Sequence, residues 1–458
     1  MENKDSGGVG GALYIRNALL ATPSGTTEAD IVAKDGVIVS IGECRGRPER
    51  RDAENVLDAG GRLLLPGGID PHVHMAMRAG ATMTSDDFSS GSLAALRGGT
   101  IALVDFVEPD PGEGLVLALE KRRAESETSK VPVKLHVTIS EWRGETPDEM
   151  RRCVDRGVKS FKIYLAYLDT IGIDDRTAYK VLEAARELEA KVLVHAEDGT
   201  DILTRQAELR IQGKSSARFH ALSRPPEAEA KAVAKLIGFV DELGGPDVVV
   251  AHVSSELAMR EIKRAKERGL RVFAETCPHY LAFTEDEYDA AMNRGALYAM
   301  SPPLRRRSDV EFLWSCVADG SIDFVSTDHC PFDSRYKLES AADFTRIPNG
   351  VGGVAERVAF MLTEGHIRRK IPVGRIADLV ARKAADCYGF SPDRGSIGLG
   401  TRADFSVWDL DSSYGYKAGM GGSKCDYSIY EGMEFRASPA AVVVNGRIVA
   451  EDWKYLSL

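Results

Sequence analysis

Residues Gly67–Arg78, "GGIDPHVHMAMR", decide how this chain is read. The stretch follows Pro66, passes two glycines and a short apolar run, and delivers His72 and His74 one residue apart. On a β-strand, side chains at i and i+2 leave the same face, so both imidazoles are expected to project together from the strand's C-terminal end. Two imidazoles on one face each need a partner, and a bound metal would satisfy both at once.

Working outward, seven more short apolar runs follow: "TIALVDF", "VPVKLHVTI", "KSFKIYL", "KVLVHAE", "DVVVAHV", "RVFAETC" and "IDFVSTD". Amphipathic stretches such as "DDRTAYKVLEAARELEA" and "PPEAEAKAVAKLIGFVDELG" lie between them, with apolar residues near the 3.6 period. Eight β/α units predict an α/β fold, a (β/α)8 TIM barrel enlarged by loops. An open doubly wound sheet would want a Gly-rich phosphate loop after an early strand, and "GGVGG" at Gly7–Gly11 precedes the first strand and is read as a tail. Both ends have a different texture, alternating β runs and turns: "LYIRNALLAT", "ADIVAKDGVIVSIGE" and "RLLLP" at one end, "GSIGLGTRADFSVWDL" and "AAVVVNGRIVAED" at the other. Asn445-Gly446 is a strong hairpin signal. The ends are expected to pair into one small β domain, dividing the chain into 1–65, 66–390 and 391–458.

With 59 Lys and Arg against 69 Asp and Glu, a net charge of -10, binding to nucleic acid or an anionic membrane is disfavoured and small-molecule chemistry fits better. No apolar run reaches the length of a membrane span, and "MENKDSGGVGG" lacks the basic start and apolar core of a signal peptide, so a cytoplasmic location is expected. The seven cysteines are scattered without a C-x-x-C pair and are read as free thiols.

In such barrels the active site lies at the strand C-terminal ends. There the sequence puts His72 and His74 on strand one, Lys162 on strand four, His195 on strand five, His252 on strand six and Asp328 on strand eight. Singly, each has a bland reading: a core histidine bonded to backbone, or an aspartate capping a turn. Convergence on one mouth makes coincidence a poor explanation. Lys162 shares a face with Ser160 and Tyr164; it could snorkel or pair with Asp328, yet an ammonium among cations would be repelled. Two divalent ions bring four positive charges, while neutral imidazoles and Asp328 offset one of them, which favours a second anionic ligand. A lysine carbamate, formed with carbon dioxide, would supply it.

The chain resembles the dihydropyrimidinases and hydantoinases, the cyclic amidohydrolases of the amidohydrolase superfamily. The motifs that carry the likeness span nearly its whole length: "DAGGRLLLPGGIDPHVH", "SFKIYLAY", "HAE", "HALSRPPEAEA", "AHVSS", "SPPLR", "STDHCPF", "IPNGVGGVAERV" and "GSIGLGTRADF". The resemblance implies a TIM barrel beside a small β-sandwich domain formed by both terminal segments, and two divalent metal ions, usually zinc, bridged by a carboxylated lysine. It places His72, His74 and Asp328 on one ion, His195 and His252 on the other, and Lys162 between them. It further implies that Tyr167 hydrogen-bonds the substrate carbonyl, that backbone groups of Ser301 and Asn349 hold the ring's amide edge, and that Asp328 carries the proton from attacking water to the departing nitrogen. The product would be an N-carbamoyl amino acid. Packing, for Tyr167, and turn formation, for Ser301 and Asn349, are the plain alternatives.

Two departures bear on substrate. Relatives that open dihydroorotate tend to show H-x-H-x-R, and here the residue two after His74 is Ala76. "ETCPHYL", Glu275 to Leu281, looks like the allantoinase version of its segment, against Tyr167 and "IPNG". Non-catalytic scaffold relatives have lost metal ligands, whereas every ligand position is filled here. Met75, Met77 and Met83, in the loop after His74, are expected to line the pocket for the ring substituent. The remaining histidines, His136, His220, His279, His329 and His366, are read as structural. Related enzymes are commonly tetramers; the sequence runs out at "VNGRIVAEDWKYLSL" without the long tail many relatives carry, so a homotetramer or a homodimer is the expectation.

Overall fold

Each of the eight apolar runs forms a strand in the computed structural model, which describes residues 11–43, 53–80 and 82–456. They are β1 (Gly68–Val73), β2 (Thr100–Val107), β3 (Val133–Thr138), β4 (Ser160–Tyr164), β5 (Lys191–His195), β6 (Val248–Val250), β7 (Val272–Thr276) and β8 (Phe324–Val325). All pair in parallel, in chain order from β1 to β8. The sheet closes at its mouth, where Val73 bridges His329 and the His74 N–H donates to the His329 carbonyl at 2.9 Å. Strands covered on both faces carry continuous apolar runs rather than alternating ones, and β2 is buried at every position.

Helices cover the outside. Asp175–Glu187 starts where the Asp174 carboxylate accepts the Thr177 N–H at 2.8 Å, and it buries Ala178, Val181, Leu182 and Ala185, the inward stripe of the 3.6 period. Pro226–Leu243 begins with proline in its first turn and stops at Gly244, whose φ of 66° ends the helix in the left-handed region.

The two ends of the chain share a second, mostly antiparallel sheet of nine strands. Its central seam pairs Leu63–Pro66 from the front with Phe405–Asp409 from the back, Pro66 opposite Phe405. The Asn445-Gly446 turn joins Ser438–Val444 to Arg447–Glu451, with both turn residues at positive φ as a tight hairpin demands. Strand Leu63–Pro66 belongs to this sheet and Gly68–Val73 to the barrel, so the chain crosses from one to the other at Gly67. This seam therefore sits directly beneath the first histidine strand.

Six cysteines are buried and free; Cys44 and most of the Gly7–Gly11 run lie outside the described residues. Among the described residues no helix is long and apolar enough to cross a membrane.

Candidate metal centre

The i, i+2 expectation for β1 holds. His72 and His74 point together, and their Nε2 atoms lie 3.3 and 3.1 Å from the same oxygen, Asp328 Oδ1, just past β8. The three donors form a group able to hold a metal ion. Across the mouth, His195 Nδ1 at the end of β5 lies 3.1 Å from His252 Nε2, just past β6. The two clusters adjoin, with the His72 and His252 rings 5.3 Å apart. Phe106 from β2 forms a wall, stacked on His74 at 4.4 Å and tilted against His72 at 4.7 Å.

Carboxylates aim these imidazoles. Glu275 on β7 accepts from His72 Nδ1 at 2.7 Å and from the His252 backbone N–H at 3.2 Å, so one side chain braces both clusters. Glu197 accepts from His195 Nε2 at 2.7 Å and is itself gripped by Arg224. Donation from one ring nitrogen leaves the other as a lone pair facing inward, which is the form a metal needs. Burial, followed by the charge of Lys162, keeps His72 well below the usual imidazole range; burial, followed by His195, does the same for His252. Burial would push the Glu197 carboxyl up, but Arg224 and His195 overcome it and bring it to about 2. Separations near 3.2 Å between inward-facing donors, with neutral rings and a carboxylate among them, fit two small divalent ions.

Lys162 stands between the clusters, fully buried, and its Nζ has no hydrogen-bond partner. It lies over the rings of Tyr164 and Phe106 at 4.8 and 5.3 Å. Burial pulls its ammonium down to about 8, opposed by Glu275 and Asp328. The ion pair with Asp328 considered from sequence is not made. An orphaned, easily deprotonated amine facing four imidazoles is a poor ammonium site and a good place for an anionic bridging group.

Backbone strain gathers at this mouth. His252 has φ 38°, Asp328 φ 47° and Tyr167 φ 58°, a region that non-glycine residues enter at a cost of about 1–3 kcal/mol each. The Tyr167 ring lies 5.4 Å from His195, and the Arg224 guanidinium covers it at 4.8 Å. Its loop closes through the Gly172 N–H, which donates to the Tyr167 carbonyl at 2.8 Å; a Cβ at Gly172 would strike the Ala166 oxygen. Burial raises the Tyr167 hydroxyl, with Arg224 opposing. Ser301 and Asn349 come from neighbouring segments tied by the Gly350 N–H to the Ala299 carbonyl at 3.0 Å. Asn349 Oδ1 is buried without a partner.

Arg224 and Glu229, both in "HALSRPPEAEA", were not singled out from sequence. Glu229 accepts from Ser254 Oγ at 2.6 Å and pairs with Arg305 at 3.1 Å, and Arg305 in turn holds the Arg224 carbonyl. The motif thus clamps the base of the Tyr167 and His195 wall. Among the other histidines, His136, His220, His329 and His366 bond to Pro71, Met300, Asp86 and Ile371, as structural residues do. His279 is buried with both ring nitrogens unpartnered. The methionine expectation fails in part: Met75 is wholly buried beneath the loop, where a Cβ on Gly91 would strike it, and Met83 is 45% exposed. The loop ends in a short hairpin, Arg78–Ala79 with Thr82–Met83, and Met77 before it is half-buried.

The amidohydrolase family model matches residues 63–449. The chain is 36% identical to a D-hydantoinase of Geobacillus stearothermophilus over 448 residues, covering 96% of this chain and 93% of that one. It is 31% identical to a dihydropyrimidinase of Rattus norvegicus over 444 residues, covering 96% and 85%. The solved structure of a dihydropyrimidinase from Brevibacillus agri NCHU1002 superposes with a TM-score of 0.94 at 33% identity, covering 97% of this chain and 96% of that one.

Proposed function

This chain belongs to the amidohydrolase family, and from that premise we propose that it hydrolyses the ring amide of hydantoins or dihydropyrimidines to give N-carbamoyl amino acids. The observation that carries the reading is the convergence of two imidazole clusters and Asp328 around the partnerless Nζ of Lys162. In this reading His72, His74 and Asp328 hold one divalent ion, His195 and His252 hold the other, and carboxylated Lys162 bridges them, with zinc the expected metal. When bound, such a pair lowers the pKa of water and polarises a carbonyl.

The chain's own groups do the rest. Asp328 accepts the proton of the attacking water at Oδ and delivers it to the departing ring nitrogen. Tyr167 donates its hydroxyl hydrogen bond to the carbonyl oxygen as negative charge develops there. Ser301 and Asn349 hold the amide edge through their backbone, fixing which carbonyl faces the water. Glu275 and Glu197 keep the imidazoles oriented, and the wall of Phe106 limits bulk water. Free buried thiols suit a reducing cytoplasm, and a homotetramer or homodimer is the proposed assembly.

Steady-state hydrolysis of hydantoin, dihydrouracil and allantoin, on protein prepared with added zinc and assayed for bound metal, tests this. Opening of the first two with about two metals per chain is expected. Activity on allantoin alone would make "ETCPHYL" the better guide, and full metal without turnover would refute ring opening.

A further inference from the structure

Strand β8 is two residues long, Phe324–Val325, and it ends before Asp328, so the chain reaches that residue without a strand to hold it. On the β7 side, the Ser326 N–H donates to the Thr276 carbonyl at 3.0 Å, and the Ser326 hydroxyl lies 3.6 Å from Cys277 Sγ. On the β1 side, among the described residues, the strand ladder is missing. The backbone links there, Val73 to His329 and the His74 N–H to the His329 carbonyl, lie beyond Asp328. Yet Asp328 stands at φ 47°, a conformation its surroundings must impose.

A side chain crosses the gap below these links. Asp70, wholly buried on β1, accepts on Oδ1 both the His72 backbone N–H at 3.3 Å and the Thr327 backbone N–H at 3.2 Å. Its Oδ2 accepts the Thr327 hydroxyl at 2.6 Å. One carboxylate therefore ties a histidine of the first strand to the residue immediately before Asp328. Its charge is met by buried Arg357, whose Nε stands 3.7 Å from Oδ2. The other guanidinium nitrogens donate to the Val325 and Val380 carbonyls at 2.9 and 3.2 Å and to the Thr100 hydroxyl at 3.0 Å. Hydrogen bonds to an ionised carboxylate are about twice as strong as neutral ones, which makes the Asp70–Thr327 pair the strongest single link across the gap.

We propose that Asp70 is a positioning residue: through Thr327 it fixes where the Asp328 carboxylate stands relative to His72 and His74. It thereby governs the hold of these three groups on their ion and the proton transfer by Asp328. The inference rests on the two-ion reading above and deepens it. Asp328 Oδ1 lies 3.3 and 3.1 Å from the two imidazoles, so a displacement of about 1 Å already breaks the arrangement. His195 and His252 are braced by Glu197 and Glu275 instead, and their ion is untouched by Asp70.

The test follows zinc release to a chelator, with kcat and KM for hydantoin, in wild type, Thr327→Val, Thr327→Ser and Asp70→Asn; urea unfolding shows that each is folded. Thr327→Val keeps the backbone N–H and loses the hydroxyl donor. One of its two zincs is expected to leave at about 10-fold lower chelator concentration, and the other at the wild-type concentration. The zinc-saturated variant should lose about 10- to 100-fold in kcat with KM changed by less than about twofold. Thr327→Ser, which restores the donor, should return both readings to wild type. Asp70→Asn keeps an oxygen for the two N–H groups and should show a smaller loss in the same sense, which decides the matter if Thr327→Val does not fold. Equal weakening of both zincs, or a loss that Thr327→Ser does not repair, would overturn the proposal. Selective zinc release without hydantoin turnover in any form would refute ring opening and keep the role of Asp70, whereas turnover by a two-zinc wild type with unchanged variants would do the reverse.

Discussion

Among the described residues two lysines are completely buried, and they are buried in opposite ways. Lys337, on the short helix Ser334–Glu339, donates to the carbonyls of Ala299 at 2.7 Å and Leu297 at 3.3 Å. Lys162, inside the barrel mouth, has no acceptor and faces imidazoles. Burial pulls both down, Lys337 to about 7 and Lys162 to about 8, so the pKa does not tell them apart. The hydrogen-bond inventory does. A buried amine with acceptors ties segments together, here the Leu297–Ala299 stretch that leads to Ser301, whereas one without acceptors is an open valence for chemistry.

The largest expected effect comes from removing the unpartnered amine. Lys162→Met should lower kcat/KM for hydantoin by about a thousandfold or more, the scale of the several kcal/mol that a metal pair contributes, and metal analysis should show its loss. Next is Gly172→Ala, in which the new Cβ displaces the Ala166–Tyr167 turn; a shift of about 1 Å at Tyr167 should reduce kcat by up to a hundredfold while bound metal stays constant. Glu197→Gln loosens the His195 side of the site and should weaken metal retention by about 10- to 100-fold in chelator competition.

Stability measurements sharpen the comparison further. In urea unfolding of metal-free protein, Lys337→Met should lose about 2 kcal/mol by removing two buried hydrogen bonds from carbonyls that keep only the Gly350 N–H and the Tyr427 hydroxyl, whereas Lys162→Met should lose nothing or gain, because it removes an orphan. Losses of equal size would break the contrast. A pH-dependent effect is expected beside Lys337, at His220, which burial and then Arg224 lower from 6.5 to about 4. Between those values the unfolded chain binds a proton that the folded one excludes, so stability falls as pH drops from 6.5 toward 4, by up to about 1.4 kcal/mol per pH unit. His220→Leu should flatten that slope in urea titrations across the window.

The same contrast explains what was legible in the sequence. Lys162 stands out in "KSFKIYL" because a cation interrupts an apolar strand, and His72 and His74 stand out by their period-two spacing. The eight strands announce themselves for the same reason, as short apolar runs between amphipathic helices. Lys337 gives no such sign, since "SRYKLE" reads as an ordinary solvated helix turn. The brace from Glu275 to His72 spans 203 residues, and the link from Arg224 to Glu197 depends on how the motif after β5 folds back; local pattern carries neither. The positive φ of His252, Asp328 and Tyr167 is equally hidden, because tertiary contacts impose it against local preference. Met75 misled because a flexible apolar side chain near a site is as fit for the core as for a pocket.

Carbon-13 NMR of the zinc-loaded protein, prepared with labelled bicarbonate, tests the central claim most directly. The account predicts one slowly exchanging carbamate resonance in wild type and in Lys337→Met, absent from Lys162→Met. An active, metal-loaded wild type without that resonance would contradict it.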